Sequence, residues 1–137
     1  MTLLCSWNVN GLRAVLKNGF MDWFHQASPD ILCLQETRLL PEEVPGELRD
    51  VQGYHSYWNP AEKRGYSGTA TFTRMAPEAV TTLDAPEFDG EGRAQFLHFK
   101  DFVVVNTYWP NSQEERKRLP YKLDFCQAIG EALDCLV

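Results

Sequence analysis

The sequence predicts an α/β fold with a mixed sheet, and three observations carry that expectation. Residues 3–34 run through strand, helix and strand patterns, segments 69–73 and 94–99 alternate with period two, and the last residues form one long apolar helical stripe. A strand–helix–strand run this short is a βαβ unit, whose strands are expected to lie parallel.

Each element follows from its residues. Leu3, Leu4, Cys5 and Trp7 make 3–7 a short buried strand, closing on the polar run Asn8-Val9-Asn10-Gly11. Phe20, Met21, Trp23, Phe24 and Ala27 recur at helical spacing, so 19–27 is an amphipathic helix with Trp23 and Phe24 in its core stripe. Ser28-Pro29-Asp30 ends it, because proline disfavours helical geometry in the residue before it. Ile31-Leu32-Cys33-Leu34 is a second buried strand, ending at Gln35 and Glu36. Residues 41–53 read as loop with a short helix near 46–50. Lys100-Asp101 reads as a tight turn between 94–99 and 102–105, giving an antiparallel hairpin. Beyond Pro120, the residues Phe125, Cys126, Ile129, Leu133, Leu136 and Val137 mark one helical face. Proline belongs in a helix's first turn, which sets the start near Leu119. The stripe runs out on Leu136-Val137, where a terminus is more often polar and frayed, so the chain is expected to stop inside a larger domain.

Composition bounds the function classes. With 44% hydrophobic, 12% aromatic and 23% charged residues in 137, the chain is globular and not disordered. Its longest apolar runs, 31–34 and 102–105, are far too short to cross a bilayer, and the first residues lack the basic region of a signal peptide. Four cysteines show no C-x-x-C spacing; Cys5 and Cys33 lie in strand-like runs and read as buried thiols, not as a disulfide or zinc site. A reducing intracellular compartment, cytoplasmic or nuclear, fits that usage. A net charge of −6 is not the broad basic surface of many nucleic-acid binders. An enzyme, however, needs only a local basic rim, and a metal ion adds positive charge that no sequence count records.

Ligands of open α/β sheets bind at the C-terminal ends of parallel strands. Here that edge collects Asn8 and Asn10 from the first strand and Glu36 from the second, an oxygen-rich set suited to magnesium or manganese. On these residues alone, a plain turn at 8–11 and a solvated Glu36 is an equal reading.

The strings themselves carry a family resemblance. Ser6-Trp7-Asn8-Val9-Asn10-Gly11-Leu12-Arg13-Ala14 resembles the opening motif of the exonuclease III / AP-endonuclease family, and Leu34-Gln35-Glu36-Thr37 its second motif. Trp58-Asn59 with Gly65-Tyr66-Ser67-Gly68 is similar to the third, and Glu91-Gly92-Arg93 to the signature on the next strand. Asn106-Thr107-Tyr108-Trp109-Pro110-Asn111-Ser112 resembles the tyrosine motif, and Arg118-Leu119 with Tyr121-Lys122 the start of the following helix. The six motifs stand in the family's order from residue 6 to residue 122.

The resemblance implies the roles. Glu36 would ligate the magnesium (or manganese), with Asn10 beside it where the family carries Asp or Asn. Asn8 would hydrogen-bond in the same network, and Tyr108 would orient the scissile phosphate. Asn111 would belong to the phosphate rim, Arg13, Tyr66 and Arg93 would grip the DNA backbone, and Arg38 would hold Glu36 ionised. His25, His55 and His98 match no motif.

The implied fold is the first half of a four-layer α/β sandwich: two facing sheets, each covered outside by helices. Residues 1–137 would form the N-terminal half of an endonuclease/exonuclease/phosphatase domain. They would supply one sheet and leave its inner face open to self-association or to a complementing C-terminal half. The family's Gly-Asp-x-Asn and Ser-Asp-His segments do not occur in the sequence. The implied activity is DNA repair, at abasic sites or at 3′ ends of double-stranded DNA, with the chain inactive by itself. Two alternatives stand beside it: a same-fold phosphodiesterase with a non-DNA substrate, as in sphingomyelinase-like or inositol-phosphatase relatives, and a non-catalytic half-domain or DNA-binding fragment. Gly65-Tyr66-Ser67-Gly68 and Glu91-Gly92-Arg93 favour the DNA-repair branch over the first.

Overall fold

A computed structural model describes residues 1–137 apart from the side chain of residue 115. Its strands and helices follow as β1 Leu4–Asn8, α1 Leu12–Lys17, α2 Phe20–Ala27, β2 Ile31–Gln35, α3 Gly46–Arg49, β3 His55–Asn59, β4 Thr69–Thr73, β5 Ala79–Thr81, α4 Pro86–Asp89, β6 Ala94–His98, β7 Val103–Thr107 and α5 Leu119–Asp134. β1 and β2 pair parallel, as a βαβ unit requires, while β4 pairs antiparallel with β2 and β3, giving the mixed order β1-β2-β4-β3. The expected hairpin is β6–β7, and β5 joins it in a second, antiparallel sheet.

Side-chain alternation sorts these strands into layers. Leu32 and Leu34 of β2 and Ala70 and Phe72 of β4 face outward into a core with Phe20 and Phe24 of α2 and Leu12 of α1. Ile31 and Cys33, on the opposite face of β2, pack on Leu97, Phe99 and Val104. Beyond them, Ala94 and Phe96 of β6 face Phe125 and Ile129 of α5 and Phe88 of α4. Helices, sheet, sheet and helices therefore stack within this chain.

That stacking corrects one expectation. The chain contributes strands to two facing sheets instead of forming one sheet with a bare inner face, because the apolar inner side of β2 is covered by the β6–β7 hairpin. The β1 end of the inner face stays open: Leu4 is 49% exposed and lines, with Ser6, Phe102 and Val104, a cleft of about 590 Å³ between β1 and β7. The terminal stripe is also narrower than expected. Phe125 and Ile129 are buried, but Cys126, Leu133, Leu136 and Val137 are exposed, and the inward face continues instead through Ala128 and Ala132. Cys33 is buried as expected, Cys5 is half-buried, and burial pushes the Cys33 thiol up to about 11 against a hydrogen bond with Thr71.

Polar groups stitch the two sheets as well. Asn106 on β7 is 1% exposed, and its Nδ2 donates to the Leu34 and Ala70 carbonyls and to Thr71 Oγ1, while its Oδ1 accepts from Gln35 Nε2. Such satisfied buried networks fix one arrangement of the layers, since leaving any member unpaired is costly.

Candidate active site

The parallel pair fixes one edge of the site. β1 and β2 stay in register to Asn8 and Gln35. Their backbones keep pairing beyond: the Val9 N–H donates to the Gln35 carbonyl at 3.0 Å, and the Gly11 N–H to the Glu36 carbonyl at 2.8 Å. Asn8, Asn10 and Glu36 are thereby brought to the same edge, as the strand pattern implied.

Asn10 and Glu36 both hold left-handed backbone, at φ 47° and 59°. Non-glycine residues keep that conformation only where their surroundings impose it. At Asn10 the constraint is Asn8, whose Oδ1 accepts the Asn10 N–H at 3.0 Å. At Glu36 it is the 65–68 loop: the Thr37 N–H donates to the Gly68 carbonyl and the Arg38 N–H to the Ser67 carbonyl. The second and third motifs are thus one backbone unit.

The Glu36 carboxylate, 15% exposed, accepts from Arg38 Nη2 at 2.5 Å. Among the described residues no three His, Cys, Asp or Glu side chains gather as a metal cage. One carboxylate flanked by two exposed carboxamides nevertheless fits magnesium, which accepts one or two carboxylates and keeps several waters. A soft metal would find no matching ligand at this edge.

Tyr108 stands opposite. It follows β7, its N–H donates to the Arg93 carbonyl at 2.8 Å, and Arg93 Nη1 donates back to the Tyr108 carbonyl at 3.2 Å. Burial, and then the negative charge of Glu36, raise the Tyr108 hydroxyl above its ordinary range, which also places the two groups within electrostatic reach.

Arg93 departs from its expected role. It is 3% exposed and its guanidinium is spent inside the protein, on Glu91 Oε2, Tyr66 Oη and the Tyr108 carbonyl. It lies 5.0 Å from the Tyr108 ring centre, 5.7 Å from that of Tyr121 and 5.9 Å from that of Tyr66. A cation so enclosed supports the tyrosines and does not reach a DNA backbone. Tyr66 is part of the same unit: its hydroxyl donates to Glu91 Oε1 and accepts from Arg93 and Arg118.

Glu91 is the hub that the motif reading passed over. It accepts from Arg118 through both carboxylate oxygens, at 2.8 and 3.1 Å. Burial opposes its ionisation, but hydrogen bonds with Arg118, Tyr121 and Tyr66 and the charge of Arg93 outweigh that and pull its pKa down to about 2. The same contacts hold Arg118 charged and, with burial, push Tyr121 up. A Glu two residues before an Arg in Glu91-Gly92-Arg93 was the available signal.

Arg13 and Asn111 are exposed. Arg13 is 3.6 Å from Glu43 Oε1, and Asn111 Oδ1 accepts the Gln113 N–H.

Comparison with known proteins gives the family and the fold. Residues 5–135 match the model of the Endonuclease/Exonuclease/phosphatase family. An exodeoxyribonuclease of Bacillus subtilis (strain 168) is 41% identical over 92% of this chain and 50% of its own length. The DNA repair nuclease APEX1 of Danio rerio is 41% identical over 87% and 39%. Among solved structures, an AP endonuclease from Archaeoglobus fulgidus superposes with a TM-score of 0.83 at 29% identity, over all of this chain and 52% of that one. The 3′ phosphatase NExo from Neisseria, bound to product DNA hairpin, gives 0.80 at 27% identity over 96% and 51%. The chain spans about half the length, or less, of the curated relatives it matches. With its motifs in order, its four layers in place and a family match along almost its whole length, the chain belongs to the endonuclease/exonuclease/phosphatase family.

Proposed function

We propose that this chain carries the metal-holding wall of a magnesium-dependent DNA-repair phosphodiesterase acting at abasic sites or 3′ ends of double-stranded DNA. The observation that carries the proposal is the juxtaposition of Glu36, Asn8 and Asn10 with the Tyr108 hydroxyl, on a scaffold like those of an AP endonuclease and of a 3′ phosphatase bound to DNA.

The roles follow from the geometry. Glu36 and Asn10 would hold the ion or its waters, Asn8 keeps Asn10 in place, and Arg38 pairs with the Glu36 carboxylate. When bound, the ion would supply positive charge to a phosphoryl oxygen. Tyr108, still protonated at neutral pH, donates a hydrogen bond to the phosphate. Arg13 and Asn111 line the rim on which the flanking backbone would lie. Arg93, Glu91 and Arg118 keep Tyr66 and Tyr108 in position.

In-line hydrolysis also needs a group to activate and hold the attacking water. We assign that group to a complementing C-terminal half seated over the cleft between β1 and β7. The test is cleavage of an abasic-site duplex and of a 3′-blocked duplex with magnesium, by the chain alone and mixed with the C-terminal half of a relative. Negligible cleavage alone and cleavage on mixing is the expected result. Robust cleavage by the chain alone refutes the need for a complement, and a folded mixture that cleaves neither duplex refutes the nuclease reading.

A further inference from the structure

One hydrogen-bonded row of side chains crosses both sheets next to the Glu36 edge. Gln35 Nε2 donates to Ser6 Oγ on β1 at 3.0 Å and to Asn106 Oδ1 on β7 at 2.9 Å. Asn106 Nδ2 donates to Thr71 Oγ1 on β4 at 3.1 Å, and that hydroxyl donates to Gln95 Oε1 on β6 at 2.9 Å. Gln95 Nε2 then donates to the Tyr57 carbonyl on β3 at 3.0 Å. Every strand except β5 is joined in this way.

The row lies one step back along each strand from the groups of the candidate site. Side chains two apart on a strand share a face, so Ser6 precedes Asn8 and Asn106 precedes Tyr108 on the same sides of β1 and β7. Tyr108 still continues the ladder, its N–H bonded to the Arg93 carbonyl. Gln35 is the residue before Glu36. The bond between Gln35 and Asn106 therefore ties the strand that carries Glu36 to the strand that carries Tyr108.

Apolar packing alone does not fix that spacing. Away from the site the same sheets meet through Ile31, Leu97, Phe99 and Val104, and apolar contact has no preferred direction. Hydrogen bonds hold to a distance and an angle, and here they take over in the layer next to the site. The layer is also costly to bury, since Thr71, Gln95 and Asn106 are 0%, 2% and 1% exposed. Among the described residues, no buried polar atom of the row lacks a partner, the condition under which such a network imposes one arrangement.

We propose that Gln35 and Asn106 are positioning residues, whose hydrogen bond sets the separation between the Glu36 edge and the Tyr108 hydroxyl. The inference rests on the reading of those two walls as one phosphodiesterase site. A displacement of about 1 Å can cost about 100-fold in rate, so one bond between the sheets is enough to matter.

The test uses Gln35→Met, which keeps the side chain's length and removes its donors, and Asn106→Val. Leu97→Ala, in the apolar cluster away from the site, is the control for lost stability alone. In the complemented enzyme each of the first two should lower kcat by about 10- to 100-fold with KM little changed. Leu97→Ala should lower the melting temperature and leave kcat in place. Introduced into Tyr108→Phe, either substitution should cost less than about two-fold, because the hydroxyl whose place it sets is gone. On the chain alone, without metal or DNA, nuclear Overhauser contacts between residues 34–36 and 106–108 should weaken in both variants, while those between Ile31 and Val104 persist. Should Asn106→Val not fold, Gln35→Met decides, its site being only half-buried. Unchanged kcat, an equal loss with and without the Tyr108 hydroxyl, an equal loss in Leu97→Ala, or unchanged contacts between 34–36 and 106–108 overturns the pair. If those contacts weaken and the mixture cleaves neither duplex, the pair still sets the spacing and the nuclease reading fails.

Discussion

In its proposed role the Tyr108 hydroxyl would have to keep its proton to donate to a phosphate, and its surroundings favour that. Burial and the nearby Glu36 carboxylate both raise it, so it remains a donor beyond neutral pH. Tyr108→Phe keeps the ring over Arg93 but removes the donor; in the complemented enzyme it should cost about 100-fold in kcat with an unchanged melting temperature. A drop in stability matching the loss of rate would show a structural role instead. Glu91 is the opposite case, a charge needed for the fold. Glu91→Gln strips a buried arginine of its counter-ion and should destabilise by about 3 kcal/mol in urea unfolding. The pH dependence has a definite sign. Glu91 titrates at about 2 in the fold against a reference of 4.5, so its stabilisation is complete above about pH 4.5 and drains away as pH falls toward 2. With 19% of the side chain still in solvent, that contribution is about 2 kcal/mol, less than the full shift would give. Urea midpoints at pH 6 and pH 3 should differ by correspondingly less in Glu91→Gln. At this scale the strand-end positions of Glu36, Asn10 and Tyr108 were legible, because β1, β2 and β7 end where their patterns do. Arg93 was not, because its burial depends on Tyr66 and Tyr108, which reach it from segments distant in sequence, as well as on its neighbour Glu91.

At the scale of elements, strands with strong alternation were legible and short edge pieces were not. β4 falls on the predicted residues, and β2, β6 and β7 fall within two residues of theirs. β3 was missed because His-Ser-Tyr-Trp-Asn carries no clean apolar period, its edge position asking for little. β5 is three exposed residues, and α1 and α4 are too short to display a helical repeat. Their places come from tertiary contacts, as with the turn before β6. Gly92 takes φ 60° there, and a Cβ on it would stand 2.3 Å from the Asn59 carbonyl oxygen and 2.7 Å from the Pro60 carbonyl carbon. No side-chain motion relieves a clash with backbone, so Gly92→Ala should cost about 3 kcal/mol and displace Arg93 with it. Urea unfolding measures the cost. Loss of less than about 1 kcal/mol would mean that the 59–60 segment yields freely.

For the whole molecule, the balance lies between an open cleft and a net charge of −6. β1 and β7 are the end strands of their sheets, and both border the cleft, with free backbone groups beside exposed Leu4 and Phe102. Unpaired strand edges next to apolar surface are templates for association. Like charge on every copy opposes it, but that repulsion is screened within about 8 Å at physiological salt, whereas apolar burial is not screened. The chain is therefore expected to self-associate through this cleft, and more strongly as salt rises. Sedimentation velocity across concentration and salt should show a weight-average mass above 15.7 kDa that falls back toward it in Leu4→Glu/Phe102→Glu. The same double variant should lose complementation by a C-terminal half, since both partners would compete for one surface. A monodisperse monomer at high concentration and high salt would remove the cleft as an association surface. Association that persists in the double variant would move it elsewhere, to the exposed Leu133 and Leu136 at the end of α5.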